Sequence, residues 1–156
     1  MSVNVTPHLN FRGEALAALN YYKDVFGGEQ MAFTYEQAGA VQNPKEAHQI
    51  MWGQVASEKG VRVMAYDVPS AMPYAPGENA FFVSVRGADA NELRGYWKGL
   101  CEGAQVLRAL APASWSPLYG MVKDRYGGDL GPGYRVPTGL TPAVPRFPWR
   151  RMSRRG

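Results

Sequence analysis

The sequence predicts an α+β domain built from two copies of a strand, a helix and three further strands. Three observations carry that prediction. The stretch LNFRGEALAALNYYKDVFGGEQ from Leu9 is similar to VSVRGADANELRGYWKGLCEGAQ from Val83: Arg12 and Gly13 fall on Arg86 and Gly87. With one residue inserted, Tyr22 and Lys23 then fall on Trp97 and Lys98, and Gly28 and Gln30 on Gly103 and Gln105. In both stretches the apolar period changes from strand-like to helical at the same place. Beyond each stretch come short runs rich in β-branched and aromatic residues, bounded by glycine turns.

The elements follow in order. Val5 to Phe11 reads as an apolar strand running through Arg12-Gly13 into a helix. In that helix Leu16, Leu19, Tyr22 and Phe26 recur at spacings of three and four, one apolar stripe for a sheet, and Gly27 is placed to end it. A second strand is expected over Gln30 to Tyr35. IMWGQVASEKGVRVMAYD then supplies a strand, a turn around Glu58 to Gly60, and a last strand from Val61 to Asp67. The second copy opens with Ala80 to Val85, and its helix carries Ala90, Leu93, Trp97 and Leu100 as the stripe. Asp89 is the expected N-cap with Glu92 as its capping-box partner, and Gly103 ends the helix region. Gln105 to Leu110 and LYGMVKDRYG complete the copy, with Gly127 falling on Gly60. Repeat one thus spans about residues 3–68 and repeat two about 79–127, together a single domain over 1–127.

After Gly127 the repeat demands a strand like VRVMAYD, and the sequence supplies GDLGPGY, poor in strand-forming residues. Residues 128–156 hold five prolines, five glycines and six arginines against the single acid Asp129. They carry +5 and the remainder −1, so the basic character belongs to this tail. The last strand of the second repeat is expected to be replaced by an irregular basic segment.

Composition narrows the function classes. At 156 residues and 46% hydrophobic content the chain can bury one sizeable core. Cys101 is the sole cysteine, so neither a disulfide nor a thiolate zinc cage is expected, and packing is its role. No apolar run is long enough to span a bilayer, and the opening MSVNVTPHLNF does not read as a secretory leader; a cytoplasmic location is expected. The arginines of the tail can give salt-sensitive contact with nucleic acid, but without a structured reading element nucleic acid is not expected as a partner.

Several motifs carry a family resemblance: PHLNFRG, YYKDVFGGE, MAYDVP with MPY shortly after, and the run from Trp115 through YGMVKDRYG. With the duplicated βαβββ pattern, this resembles the vicinal oxygen chelate superfamily of glyoxalase I, extradiol dioxygenases and bleomycin and fosfomycin resistance proteins. The closer resemblance is to its PhnB-like branch, over residues 7–127. It implies that the two repeats form a cupped mixed sheet, and that chains pair as homodimers. Members of the branch usually follow the last motif with a strand of the type VTWVL. Back-translating GDLGPGY and dropping the first nucleotide allows the same reading, so the tail is read as out of frame. Some members are labelled ubiquinone-pathway methyltransferases, but two repeats leave no room for a nucleotide-binding βαβ domain, and methyl transfer is not expected.

Metal-dependent superfamily members place four N or O ligands inside the cup. The positions implied here are His8, about Phe82, Met64 and Gly131, one good ligand of four, so no catalytic metal is expected. A weaker divalent-metal alternative pairs His8 with His48, aided by Glu46; it would make the chain a metal-dependent lyase or dioxygenase relative. Without a metal, the cup is expected to bind a small planar or apolar organic molecule. Its lining is expected to be His8, Met51 or Trp52, Met64, Tyr66, Phe82, Trp115 and Tyr119. Related proteins often have a histidine where this chain has Trp52, and Gly-Asp where it has Ser116 and Pro117, so neither role is carried over. No catalytic residue is assigned.

Overall fold

The computed structural model describes residues 5–77, 82–114, 116–126 and 133–138, the last stretch by its backbone. Strand β1 (His8–Phe11) leads into helix α1 (Ala15–Phe26), followed by β2 (Glu29–Thr34), β3 (Ile50–Ala56) and β4 (Arg62–Asp67). The second copy runs β5 (Phe82–Ser84), α2 (Ala90–Leu100), β6 (Gln105–Ala113), β7 (Ser116–Lys123) and β8 (Gly133–Thr138). These form two four-stranded sheets, β1-β4-β3-β2 and β5-β8-β7-β6. In each, the first strand lies parallel to the last and the other pairings are antiparallel. The two copies therefore share one topology, as the internal similarity requires.

The eighth strand differs from expectation. The slot between β5 and β7 is filled by GYRVPT, which starts six residues beyond Gly127. Tyr134, Arg135 and Val136 suit an extended backbone. Pro137 lacks an N–H, but the pairing with β5 ends at Arg135, so on that side no ladder bond is lost. Six residues of the expected irregular segment are thus strand. The rest of that segment, and with it most of the out-of-frame expectation, lies outside the described residues.

Strand alternation decides which face packs. Leu9, Phe11, Val55, Val63 and Ala65 turn one face of the first sheet onto α1 and are buried. From α1 come Ala15, Ala18, Leu19, Tyr22 and Phe26, whereas Leu16 is 45% exposed, a departure from the expected stripe. Ala15 and Ala18 take its place because small residues let the helix lie close to the sheet. Gly53 and Gly120 repeat that device on the strands: a methyl on Gly53 would strike Leu19, and one on Gly120 would lie 2.7 Å from the Trp97 ring. In α2, Leu93 and Leu100 are buried and Trp97 is half-buried.

The two helix starts are capped differently. Asp89 accepts from the amides of Asn91 (2.7 Å) and Glu92 (3.3 Å), as expected of an N-cap. The Glu92 carboxylate does not complete a capping box; it takes the Lys59 ammonium at 2.8 Å and the Tyr96 hydroxyl at 2.8 Å, which hold it below the usual carboxylate range. Glu14, at the N-cap of α1, makes no side-chain cap. Instead buried Asp67, at the end of β4, accepts from Gly13 N (2.7 Å) and Ala15 N (3.0 Å) through Oδ1 and from Ile50 N (2.9 Å) through Oδ2.

The copies join through their helices. Tyr21 donates to the carbonyl of Leu100 at 2.9 Å, Phe26 meets Tyr96 edge-on at 5.2 Å, and Val25 packs on Gly99. The Tyr22 hydroxyl reaches buried Asp124 beyond β7 at 3.2 Å. Burial pushes the Tyr21 phenol far above its ordinary pKa, so it serves as a neutral donor. One apolar core thus contains residues of both repeats. Cys101 sits at its edge, its thiol pKa raised by burial.

Candidate functional site

Each sheet presents the face away from its helix as the inner face of a cup. On the first sheet, β1 and β4 run parallel with His8 opposite Met64 and Asn10 opposite Tyr66. The His8 ring meets Tyr66 edge-on at 5.3 Å, and partial burial lowers the imidazole pKa. In β3 a register shift sets Phe33 against Trp52 and Thr34 against Ile50, leaving Met51 as the extra residue. The shift assigns Trp52 rather than Met51 to this face, its ring 6.0 Å from that of Phe33. Met31 pairs with Gln54 beside them. Met31 and Phe33 remain 57% and 45% exposed, large apolar side chains on an open sheet face.

On the second sheet, Phe82 lies on β5 opposite Gly133, with 40% of its surface exposed. Val83 packs toward the core, so Phe82 faces the cup. Tyr119 follows the same logic: Gly120 beside it faces Trp97 of α2, which turns Tyr119 to the opposite face. Its ring is buried, with the Arg108 guanidinium 5.2 Å from its centre. Trp115 lies outside the described residues.

The structure therefore groups His8, Trp52, Met64 and Tyr66 on one sheet and Phe82 and Tyr119 on the other. Alternation along β2 could have added Met31 and Phe33. Arg108 was not legible, because its orientation depends on a bulge that no spacing rule reveals.

The positions implied for metal ligands can now be placed. His8 and Met64 are direct neighbours, and Phe82 is paired with Gly133; Gly131 lies outside the described residues. His48 is 86% exposed and its Nδ1 lies 3.3 Å from Glu36 Oε2 on the loop before β3, while Glu46 accepts from Ser70 N. Among the described residues no three His, Cys, Asp or Glu side chains gather as a metal site would require. On the helix side of the second sheet, a cavity of about 490 Å³ is lined by Arg94, Trp97, Val106, Ala109 and Leu110. No helix among the described residues is long and apolar enough to cross a membrane.

Two βαβββ copies with helices on one face and an aromatic cup on the other define the glyoxalase/bleomycin resistance/dioxygenase fold. Within it, the chain belongs to the family described as 3-demethylubiquinone-9 3-methyltransferase, whose model matches residues 3–129. Among solved structures it is similar to protein PA1353 from Pseudomonas aeruginosa, with 26% identity and a TM-score of 0.73 over 88% of this chain and 98% of that one. A putative 3-demethylubiquinone-9 3-methyltransferase, the PhnB protein from Bacillus cereus, follows at 18% identity and a TM-score of 0.63, covering 88% of this chain and all 100% of the other. A glyoxylase/bleomycin resistance protein/dioxygenase domain from Frankia shares 9% identity with a TM-score of 0.59, over 89% of this chain and 98% of that one. Comparison with the curated proteins finds no match.

Proposed function

We propose that the protein binds a small planar organic molecule against the inner faces of its sheets, without a catalytic metal. The observation that carries this reading is the aromatic and thioether character of the open face of the first sheet: Phe33 beside Trp52, His8 against Tyr66, and Met31 and Met64 on either side of Gln54. Such a surface offers dispersion and ring stacking to an apolar solute and few groups able to hold a divalent cation. The soft Met64 thioether, next to the His8 imidazole, is a poor partner for a hard metal ion. The family's methyltransferase description is not adopted as the activity. Methyl transfer needs a bound methyl donor, and the sequence has no glycine-rich loop of the kind that cradles a nucleotide cofactor. A second copy of the chain is the proposed cover for the exposed Met31 and Phe33.

Titration with the neutral fluorophore N-phenyl-1-naphthylamine tests the site. Saturable binding is expected, weakened about tenfold by Trp52→Ala and unaffected by prior dialysis against a chelator. Binding that disappears on chelation, returns with Zn, Ni, Mn or Fe, and is lost in His8→Ala would replace this reading with the metal-dependent one.

A further inference from the structure

The two copies fill the space between helix and edge strand differently. The alignment that sets Tyr22 on Trp97 also sets Leu19 on Arg94 and Asn20 on Gly95, while Gly53 beneath the first helix matches Gly120 beneath the second. In the first copy, fully buried Leu19 occupies the space over Gly53, and Gln30 Nε2 of β2 donates to Asn20 Oδ1 of α1 at 2.9 Å, tying strand to helix. In the second, the Trp97 ring lies over Gly120, the place of Leu19 is taken by exposed Arg94, and Gly95 has no side chain with which to make the tie. The edge strands differ as well. Ala32 pairs with Gly53 one for one, whereas β6 sets two residues, Ala109 and Leu110, between the partners of Met121 and Tyr119 and so against Gly120 alone. An extra residue bends its strand. The result is the cavity of about 490 Å³ lined by Arg94, Trp97, Val106, Ala109 and Leu110, at a place that the first copy closes.

We infer that this cavity between α2 and β6 is a second binding site, separate from the cup, for a small organic acid with an apolar body, such as an aryl carboxylate. Its size falls within the range of small-molecule sites, roughly 300–1,000 Å³. Four of its five lining residues are apolar or aromatic, and the fifth is a cation. Among the described residues no acid pairs with the Arg94 guanidinium: Glu92 is taken by Lys59 and Tyr96, and Asp89 caps the start of the helix. Lys98, one turn further along α2, adds a second positive charge on the same side of the helix. A guanidinium presents a planar fork of donors that matches a carboxylate. The ring of the acid would lie against Trp97 and Leu110 while its carboxylate meets Arg94. The site shares no residue with the cup and stands whether or not the cup binds a ligand.

Calorimetric titration of the full chain with 2-naphthoate, and with neutral 2-naphthamide of the same skeleton, tests the site. The acid is expected to bind about tenfold more tightly than the amide. Arg94→Gln should weaken the acid about tenfold and leave the amide within about twofold, and Arg94→Lys, which keeps the charge but not the fork, should recover part of the loss. Ala109→Phe, which fills the cavity without touching the charge, should weaken both probes by about tenfold or more. Arg94 and Ala109 are both exposed, so these variants are expected to fold as the parent does. Trp52→Ala, in the cup, should leave 2-naphthoate within about twofold. Equal binding of acid and amide, or no effect of Arg94→Gln and Ala109→Phe, would overturn the site. So would a loss on Trp52→Ala in their place, which would move the acid to the cup, or no binding of 2-naphthoate to the parent chain.

Discussion

His8 combines a partly buried imidazole with a ring contact to Tyr66, and burial lowers its pKa from 6.5. A base that binds its proton less readily in the folded state than in the unfolded chain makes the folded state lose ground as pH falls. Its contribution is fully present above pH 6.5 and is lost as pH falls from there through the lower folded value. Two measurements check this. In an NMR titration the His8 ring, assigned by its loss in His8→Asn, should show a midpoint below 6.5. The urea midpoint should decline with falling pH across the same window, less so in His8→Asn. A His8 midpoint at or above the ordinary value would contradict the placement of this ring.

Among the elements, α2 and the strand beneath it give a prediction with two signs. Gly120 on β7 faces the helix, and an added methyl would lie 2.7 and 2.8 Å from two Trp97 ring atoms and 3.2 Å from the Leu110 Cα. A ring edge and a backbone atom cannot both give way without moving α2 off the sheet. Gly120→Ala should therefore destabilise the protein by about 1–3 kcal/mol. Gly95, inside α2, meets nothing within 4 Å of an added methyl. Gly95→Ala should stabilise by about 0.5–1 kcal/mol through the lower entropy of the unfolded chain. Equilibrium denaturation of the two variants checks both; destabilisation by Gly95→Ala would mean that α2 packs against something on that side. Element type was readable because the periods of 3.6 and 2 are long enough here to recognise. Face assignment was less so: Leu16 fits the stripe by spacing yet is exposed, because Ala15 and Ala18 are the residues that α1 buries in its place. The bulges at Met51 and Leu107 shift register by backbone pairing alone, and only the paired partner reveals them.

At the scale of the molecule, each sheet is covered by its own helix, and the helices pack against each other through Tyr21, Phe26 and Tyr96. The opposite sheet faces consequently point away from the shared core. Met31 and Phe33 are left open on one of them, and such surface favours pairing with a second copy, whose own cup face has the same apolar character. Sedimentation at micromolar concentration is expected to give a dimer, shifted toward monomer by Phe33→Asp. A monomer in the parent chain would mean that the cup stays open on one side. The duplication was the most legible feature of the sequence, and the two sheets have the same strand order because similar segments fold alike. The eighth strand was not legible because the repeat places it directly after Gly127, whereas the connection to β8 is longer than that between β3 and β4, and length is what an internal repeat constrains least.

Asp67 connects these scales. Its carboxylate occupies the positive end of α1, taking two of the amides that a helix start leaves without partners and a third from Ile50. A helix N-terminus is the protein interior's ready-made receptor for phosphates and carboxylates. Here the chain has filled that receptor with an anion of its own. An acidic solute finds no vacancy at the first helix, because the last strand of the first sheet has already supplied the charge.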